Sequence, residues 1–199
     1  LESSVPVMRF FAERAGCLAS IDDIGEGRDY ADLLISVIHR PKRNPQARYE
    51  EINDLNYVIL RRAFQEGHEE EKAIPERASK ILVSQGGSDT FGGIVELARA
   101  LRETPVETEV ALLAGPAFQH SSSLRDALRG IDRPFEVLSD VGDMAGLMMD
   151  CDLAITGGGK TVFELAALGV PFLLVTEEPR ELETAQIVEQ NVLCENLGL

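Results

Sequence analysis

Residues 156–161 read TGGGKT, three glycines followed by a lysine and a threonine. These are the ingredients of a phosphate cradle: backbone that approaches a ligand closely, a cation and a hydroxyl. A nucleotide-hydrolysing P-loop has the spacing GxxxxGK[ST]. Counted back from Gly159, its first glycine would fall on Ala154, and the LAIT run before the turn reads as strand. A P-loop is therefore set aside. What remains is a strand running through Gly157, Gly158, Gly159, Lys160 and Thr161 into a helix. SQGGSDTFGG (84–93) repeats that logic with Gly86, Gly87, Ser88, Asp89 and Thr90. Any of Ser88, Asp89 or Thr90 could cap the following helix, and tight strand-to-helix packing alone is the other reading of each turn.

The elements around these turns alternate. KILVS (80–84), the apolar stretch at 108–114, FEVLS (135–139), DLAIT (152–156) and PFLLV (171–175) are short apolar runs suited to strands buried on both faces. Between them lie amphipathic stretches, such as Ile94, Leu97, Ala98 and Leu101 at helical spacing, and a last helix is expected over 182–190. Strand and helix in strict alternation predict a parallel sheet with right-handed crossovers, a Rossmann-like domain over 80–199. If the strands from 80 and 152 are neighbours where strand order reverses, both glycine turns border one crevice, and a phosphate-bearing ligand becomes the better explanation. Glu164, one turn into the second helix, could accept two hydrogen bonds from a ribose diol. It could equally be a helix N-terminal acid stabilised by the dipole, and both readings stand.

Residues 1–64 read as the tail of another α/β sheet: a helix at 5–15 with Met8, Phe11, Ala12 and Ala15 inward, then strands CLASIDD, DLLISVI and YVILR. The polar, acidic stretch 65–79, interrupted by Pro75, reads as a linker, with a helix bearing a solvated face as the alternative for its glutamate run. Asp22 and Asp23 close the first of those strands; paired carboxylates can divide acid and base work, or cap a turn.

Acidic residues outnumber basic ones 34 to 19, for a net charge of −15, which argues against a nucleic-acid groove or an anionic membrane surface. A cationic cluster at Arg40, Lys42 and Arg43 reads as a solvated loop. No apolar run is long enough to span a bilayer, and the first residues lack the pattern of a secretory signal. Cys17, Cys151 and Cys194 are far apart, as are His39, His68 and His120, so neither a metal nor a cofactor is expected, and reduced thiols suit the cytoplasm.

ILVSQGGSDTFGG, DMAGLMMDCDLAITGGGKTVFELAALGVPFLLV and, upstream, SIDDIGEGRDYADLLI and NYVILRRAF together resemble the PseG/SpsG family. These are UDP-sugar hydrolases and spore-coat polysaccharide proteins, kin of MurG-like glycosyltransferases with two Rossmann domains, the GT-B fold. The resemblance implies a complete C-terminal domain that binds UDP or a UDP-sugar, with part of an N-terminal domain before it. It implies that Glu164 holds the ribose, while Gly86 to Thr90 and Gly158 to Thr161 lie around sugar and diphosphate. The family's catalytic histidine comes from a glycine-rich loop early in the N-terminal domain; the helix at 5–15 corresponds to a later part, and His39, His68 and His120 stand in other contexts. Where the family tends to carry an Asn-Gln pair, this chain has Arg180 and Glu181: the arginine could hold a phosphate, and the glutamate beside it would repel one. The expectation is an enzyme fragment of surface-polysaccharide biosynthesis, inactive alone. The alternatives are a non-catalytic nucleotide-sugar-binding module, or a structural subunit whose incomplete N-terminal sheet pairs with a second copy.

Overall fold

The computed structural model describes residues 2–38, 42–103, 108–130, 134–190 and 194–198; His39, Arg40 and the Arg180 side chain lie outside this set. The chain divides into two compact units, Leu1–Ile59 and Leu60–Leu199.

The first unit begins with helix α1 (Val5–Ala12), whose start is favoured by a proline in its first turn. Strands β1 (Ala19–Ile21), β2 (Leu33–Ile35) and β3 (Glu50–Ile52) form a parallel sheet in the order β1-β2-β3. Leu34, Val37 and Tyr49 are buried in it. Of the α1 residues expected inward, Met8 is buried, whereas Phe11 and Ala15 are exposed; within the unit the helix packs on the single-turn helix Glu26–Tyr30, which covers a narrow strip of it. The third strand was expected at YVILR and lies instead at Glu50–Ile52. An edge strand needs apolar character on one face only, so a half-charged EEI run qualifies. Asp54 instead takes the amide of Asn56 and folds Leu55–Tyr57 into a helical turn, leaving Ile59 exposed.

The second unit starts earlier than expected. Residues 60–64 were assigned to the N-terminal domain and 65–79 to a linker, yet helix α2 (Arg62–Gly67) packs within the second unit on the two helices α5 (Met144–Met149) and α6 (Thr161–Ala167). Phe64, fully buried, is its anchor. The His68 ring donates through Nδ1 to the Ala167 carbonyl (2.7 Å), and Lys72 Nζ donates to the Met149 carbonyl (2.7 Å). A polar stretch read as a linker is thus fastened by one aromatic residue and two side-chain-to-carbonyl bonds.

The main sheet has six parallel strands: β4 (Lys80–Ser84), β5 (Glu109–Leu113), β6 (Phe135–Leu138), β7 (Leu153–Thr156), β8 (Phe172–Leu174) and β9 (Cys194–Asn196). Their order is β6-β5-β4-β7-β8-β9, so β4 and β7 are neighbours and the strand order reverses between them. Helices α3 (Gly93–Glu103), α4 (Ser121–Ala127) and α7 (Pro179–Glu189) complete the crossovers with α5 and α6. Leu82, Leu112, Phe172 and Leu174 of the strands are fully buried, as continuous apolar runs in a covered parallel sheet require, and Ile94 of α3 and Leu165 of α6 are buried with them. Strand β9 was not foreseen: its CEN sequence carries no apolar run, and it is an edge strand held by pairing with β8. Helix α7 begins at Pro179 rather than at residue 182, with proline in its first turn. Among the described residues no helix is long and apolar enough to cross a membrane.

Candidate functional site

Ser84 of β4 stands opposite Thr156 of β7, so both glycine turns leave the sheet side by side at its carboxyl edge. Gln85 joins them: its side chain lies over Gly157 and its Nε2 reaches the Val175 carbonyl beyond β8 (3.4 Å). In the first turn Gly86 and Gly92 adopt left-handed φ values of 74° and 78°, and Asp89 one of 44°. Glycine carries that conformation freely, and aspartate is among the few other residues that enter it readily.

Asp89 is the residue that caps α3. Its carboxylate, 1% exposed, accepts from the Gly93 amide (2.6 Å) and the Ile94 amide (3.1 Å). Ser88 and Thr90 are exposed beside it, with their hydroxyl oxygens 3.2 Å apart. Of the three cap candidates it is Asp89 that takes the first-turn amides of α3, so these donors are occupied by a carboxylate of the chain itself. Asp89→Ala removes both bonds and puts a Cβ residue with no local polar partner at a left-handed φ. It should lower stability by about 2 kcal/mol, while Asp89→Asn, which still caps and tolerates that φ, should lose less than half of this. Urea unfolding of the two variants measures the difference.

Glu177, in the loop between β8 and α7, brings a second carboxyl oxygen to the Gly93 amide (2.9 Å). Burial, then the neighbouring Asp89 and Glu181 carboxylates, push Glu177 up to about 7. Its own amide donates to Glu181 Oε2 (2.7 Å).

In the second turn Gly157 and Gly158 are buried, whereas Gly159 and Lys160 are exposed. A Cβ on Gly158 would stand 2.6 Å from Glu181 Cβ and 2.7 Å from the Glu181 carbonyl oxygen, so this glycine lets the turn seat against α7. Glu181 is thereby spent on packing and on the Glu177 amide.

Glu164 projects from α6 with its side chain 16% exposed, and one oxygen lies 3.2 Å from the Arg61 guanidinium. Burial raises its carboxyl above the ordinary range, opposed by Arg61 and Lys160. The helix-acid and ribose readings of Glu164 therefore meet a third feature, a lateral cation. Arg61 lies in the quoted YVILRRAF stretch but was not singled out, because nothing local connects it to a residue 103 positions away. Glu177 was likewise missed inside EEPRELETAQ, since one of four glutamates in an acidic stretch looks solvated.

Asp22 and Asp23 belong to the first unit, where both build a turn. Asp23 is fully buried; it accepts from the Ser3 hydroxyl, from the Ser3 amide (2.9 Å), from Ser20 Oγ (2.9 Å) and from the Gly25 amide (3.0 Å). Burial raises its carboxyl, but these bonds outweigh it and leave the group below its usual range. Asp22, at φ 47°, accepts from the amides of Val37 (3.0 Å) and Ile38 (2.9 Å). The acid–base reading of the pair gains nothing from this geometry. Among the described residues no group of three or more His, Cys, Asp and Glu side chains could hold a metal ion.

No family model matches the chain. It is 28% identical over 182 residues to the spore coat polysaccharide biosynthesis protein SpsG of Bacillus subtilis, covering 88% of this chain and 52% of that protein. Over 106 residues it is 36% identical to the UDP-N-acetylglucosamine–N-acetylmuramyl-(pentapeptide) pyrophosphoryl-undecaprenol N-acetylglucosamine transferase of Thiobacillus denitrificans, covering 50% of this chain and 29% of that one. Among solved structures, Acinetobacter baumannii MurG superposes with a TM-score of 0.64 at 15% identity, over 96% of this chain and 62% of that chain. The chain is thus SpsG- and MurG-like, with the α/β fold of a partial GT-B protein, and it spans about half the length of the SpsG relative.

Proposed function

We propose that the second unit binds a nucleotide-activated sugar, UDP-linked, at the carboxyl edge of its sheet, and that the protein serves surface-polysaccharide biosynthesis in the cytoplasm. The observation that carries this reading is the adjacency of β4 and β7, which sets two glycine turns at one reversal of strand order. That is where open parallel sheets receive ligands. The exposed backbone of Gly86, Gly87 and Gly159 and the exposed Lys160 offer donors and positive charge to a diphosphate. Glu164 offers two acceptors to a ribose diol, and Arg180 in the first turn of α7 is a further candidate for phosphate. The names of the relatives, a polysaccharide biosynthesis protein and an N-acetylglucosamine transferase, support the same substrate class.

UDP at a hundredfold excess over its dissociation constant should stabilise the protein by about 2.7 kcal/mol and raise its melting temperature accordingly. A folded protein whose melting is unmoved by millimolar UDP would sink the nucleotide reading.

One observation favours a binding role over catalysis for this stretch of chain. The Asp22 and Asp23 carboxylates are committed to backbone amides and serine hydroxyls, which leaves the chemistry without an assigned acid or base. In this second reading the chain holds the ligand and a further segment or partner supplies the reaction.

A further inference from the structure

We propose that Glu177 and Asp89 hold one proton between them, and that this shared proton latches the loop between β8 and α7 onto the N-terminus of α3. The latch is independent of any nucleotide, because it consists of contacts the chain makes with itself.

The geometry is that of two carboxyls on one hydrogen. The Gly93 amide donates to Asp89 Oδ1 at 2.6 Å and to Glu177 Oε1 at 2.9 Å. Two oxygens that converge on the same N–H are close neighbours, and two ionised carboxylates so placed repel strongly where water is scarce. Asp89 is 1% exposed and its second oxygen is taken by the Ile94 amide, so it cannot turn away to solvent without uncapping α3. A proton on Glu177 resolves the conflict by converting a repulsion into an O–H···O bond between the two side chains.

The surrounding charge acts in the same sense. Glu181, on α7, accepts from the Glu177 amide and adds a third carboxylate. Burial, Asp89 and Glu181 all raise Glu177, and the Gly93 amide opposes them. Lys160, on the second turn, acts on Glu164, and His120 contacts the Thr90 carbonyl of the first turn through Nε2. The loop has other attachments, from the Val175 amide to the Thr156 carbonyl and from Thr176 to the Gly198 carbonyl. These hold its β8 end, so loss of the proton loosens the loop at Glu177 rather than releasing it.

The sign follows from linkage. Glu177 stands at about 7 in the folded protein against 4.5 for an ordinary glutamate, so the folded state holds a proton that the unfolded chain has lost. The contribution is fully present below 4.5 and is lost as the pH rises through about 7.

The test is a pH titration by NMR of the Glu177 side-chain carboxyl and the Gly93 amide in the intact chain. The wild type should show both reporters stepping together near 7, and Glu177→Gln, which keeps a donor without titrating, should abolish the step at Gly93. Amide exchange in the 175–178 and 93–94 segments, corrected for intrinsic chemistry, should quicken roughly tenfold between about pH 6 and pH 8 in the wild type alone. A Glu177 carboxyl that titrates in the ordinary carboxylate range overturns the proposal. So does a Gly93 step that survives in Glu177→Gln. The first of these measurements needs only the wild type, and it decides the matter even if the variant does not fold.

Discussion

Gly158→Ala is expected to cost the second unit about 3 kcal/mol, the upper end of what overpacking a closed site does. The added Cβ would meet Glu181 Cβ at 2.6 Å, its carbonyl oxygen at 2.7 Å and its Cα at 3.0 Å. Two of those three atoms are backbone, in the first turn of α7, so no rotamer change relieves the contact. Either the glycine turn shifts away from α7 or the helix start moves, and movement there pulls on the Glu181 carboxylate that holds the Glu177 amide. The neighbouring Gly159 is the control. A Cβ there meets nothing within 4 Å, and the residue is exposed. Gly159→Ala should therefore leave stability within about 0.5 kcal/mol of wild type. Denaturant midpoints for the two variants, at equal slope, decide the point. Equal losses would show that the turn tolerates no side chain for some reason other than contact with α7.

Glu164→Ala should weaken UDP binding by about 10- to 100-fold, the worth of one hydrogen bond to a charged acceptor. The Glu164 carboxylate is half-buried on α6, beside the second glycine turn and within reach of Arg61. Its pair with Arg61, whose side chain is 65% exposed, contributes little to stability, at most about 1 kcal/mol before screening. Melting without ligand should accordingly change little in the variant, which separates loss of binding from loss of fold. Burial raises the Glu164 carboxyl, so the same contact should weaken as the pH falls and the group protonates. Glu164→Gln, which keeps one acceptor oxygen, should fall between wild type and alanine in titration calorimetry. Wild-type affinity in the alanine variant would remove the ribose role and leave Glu164 as the partner of Arg61.

How much of this was legible beforehand differs from element to element. Runs such as KILVS and LAIT announced buried parallel strands, because a strand covered on both faces must be apolar throughout. CEN at β9 and EEI at β3 announced nothing, because an edge strand is held by its neighbour's hydrogen bonds and tolerates polar side chains. The stretch 65–79 looked like a solvated linker by composition, yet buried Phe64 just before it and the His68 and Lys72 bonds to carbonyls of α6 and α5 fasten it to the second unit. Asp89 was one of three cap candidates, and only its left-handed φ and two accepted amides distinguished it from Ser88 and Thr90.

The sequence by itself determined the alternation of strand and helix, the two glycine turns and the acidic charge, since periodicity and turn chemistry are local properties of the chain. Only the tertiary structure decided which distant groups meet. Strand order set Ser84 beside Thr156 and so brought the turns together. It carried Glu177 to an amide 84 residues away in sequence, and α2's packing carried Arg61 to a carboxylate 103 residues away. Contacts between remote residues follow from how strands are ordered and helices packed, and no local pattern of residue types encodes the resulting distances. For the same reason the glycine turns could be read from the chain, while the fold chose the carboxylates and cations that stand beside them.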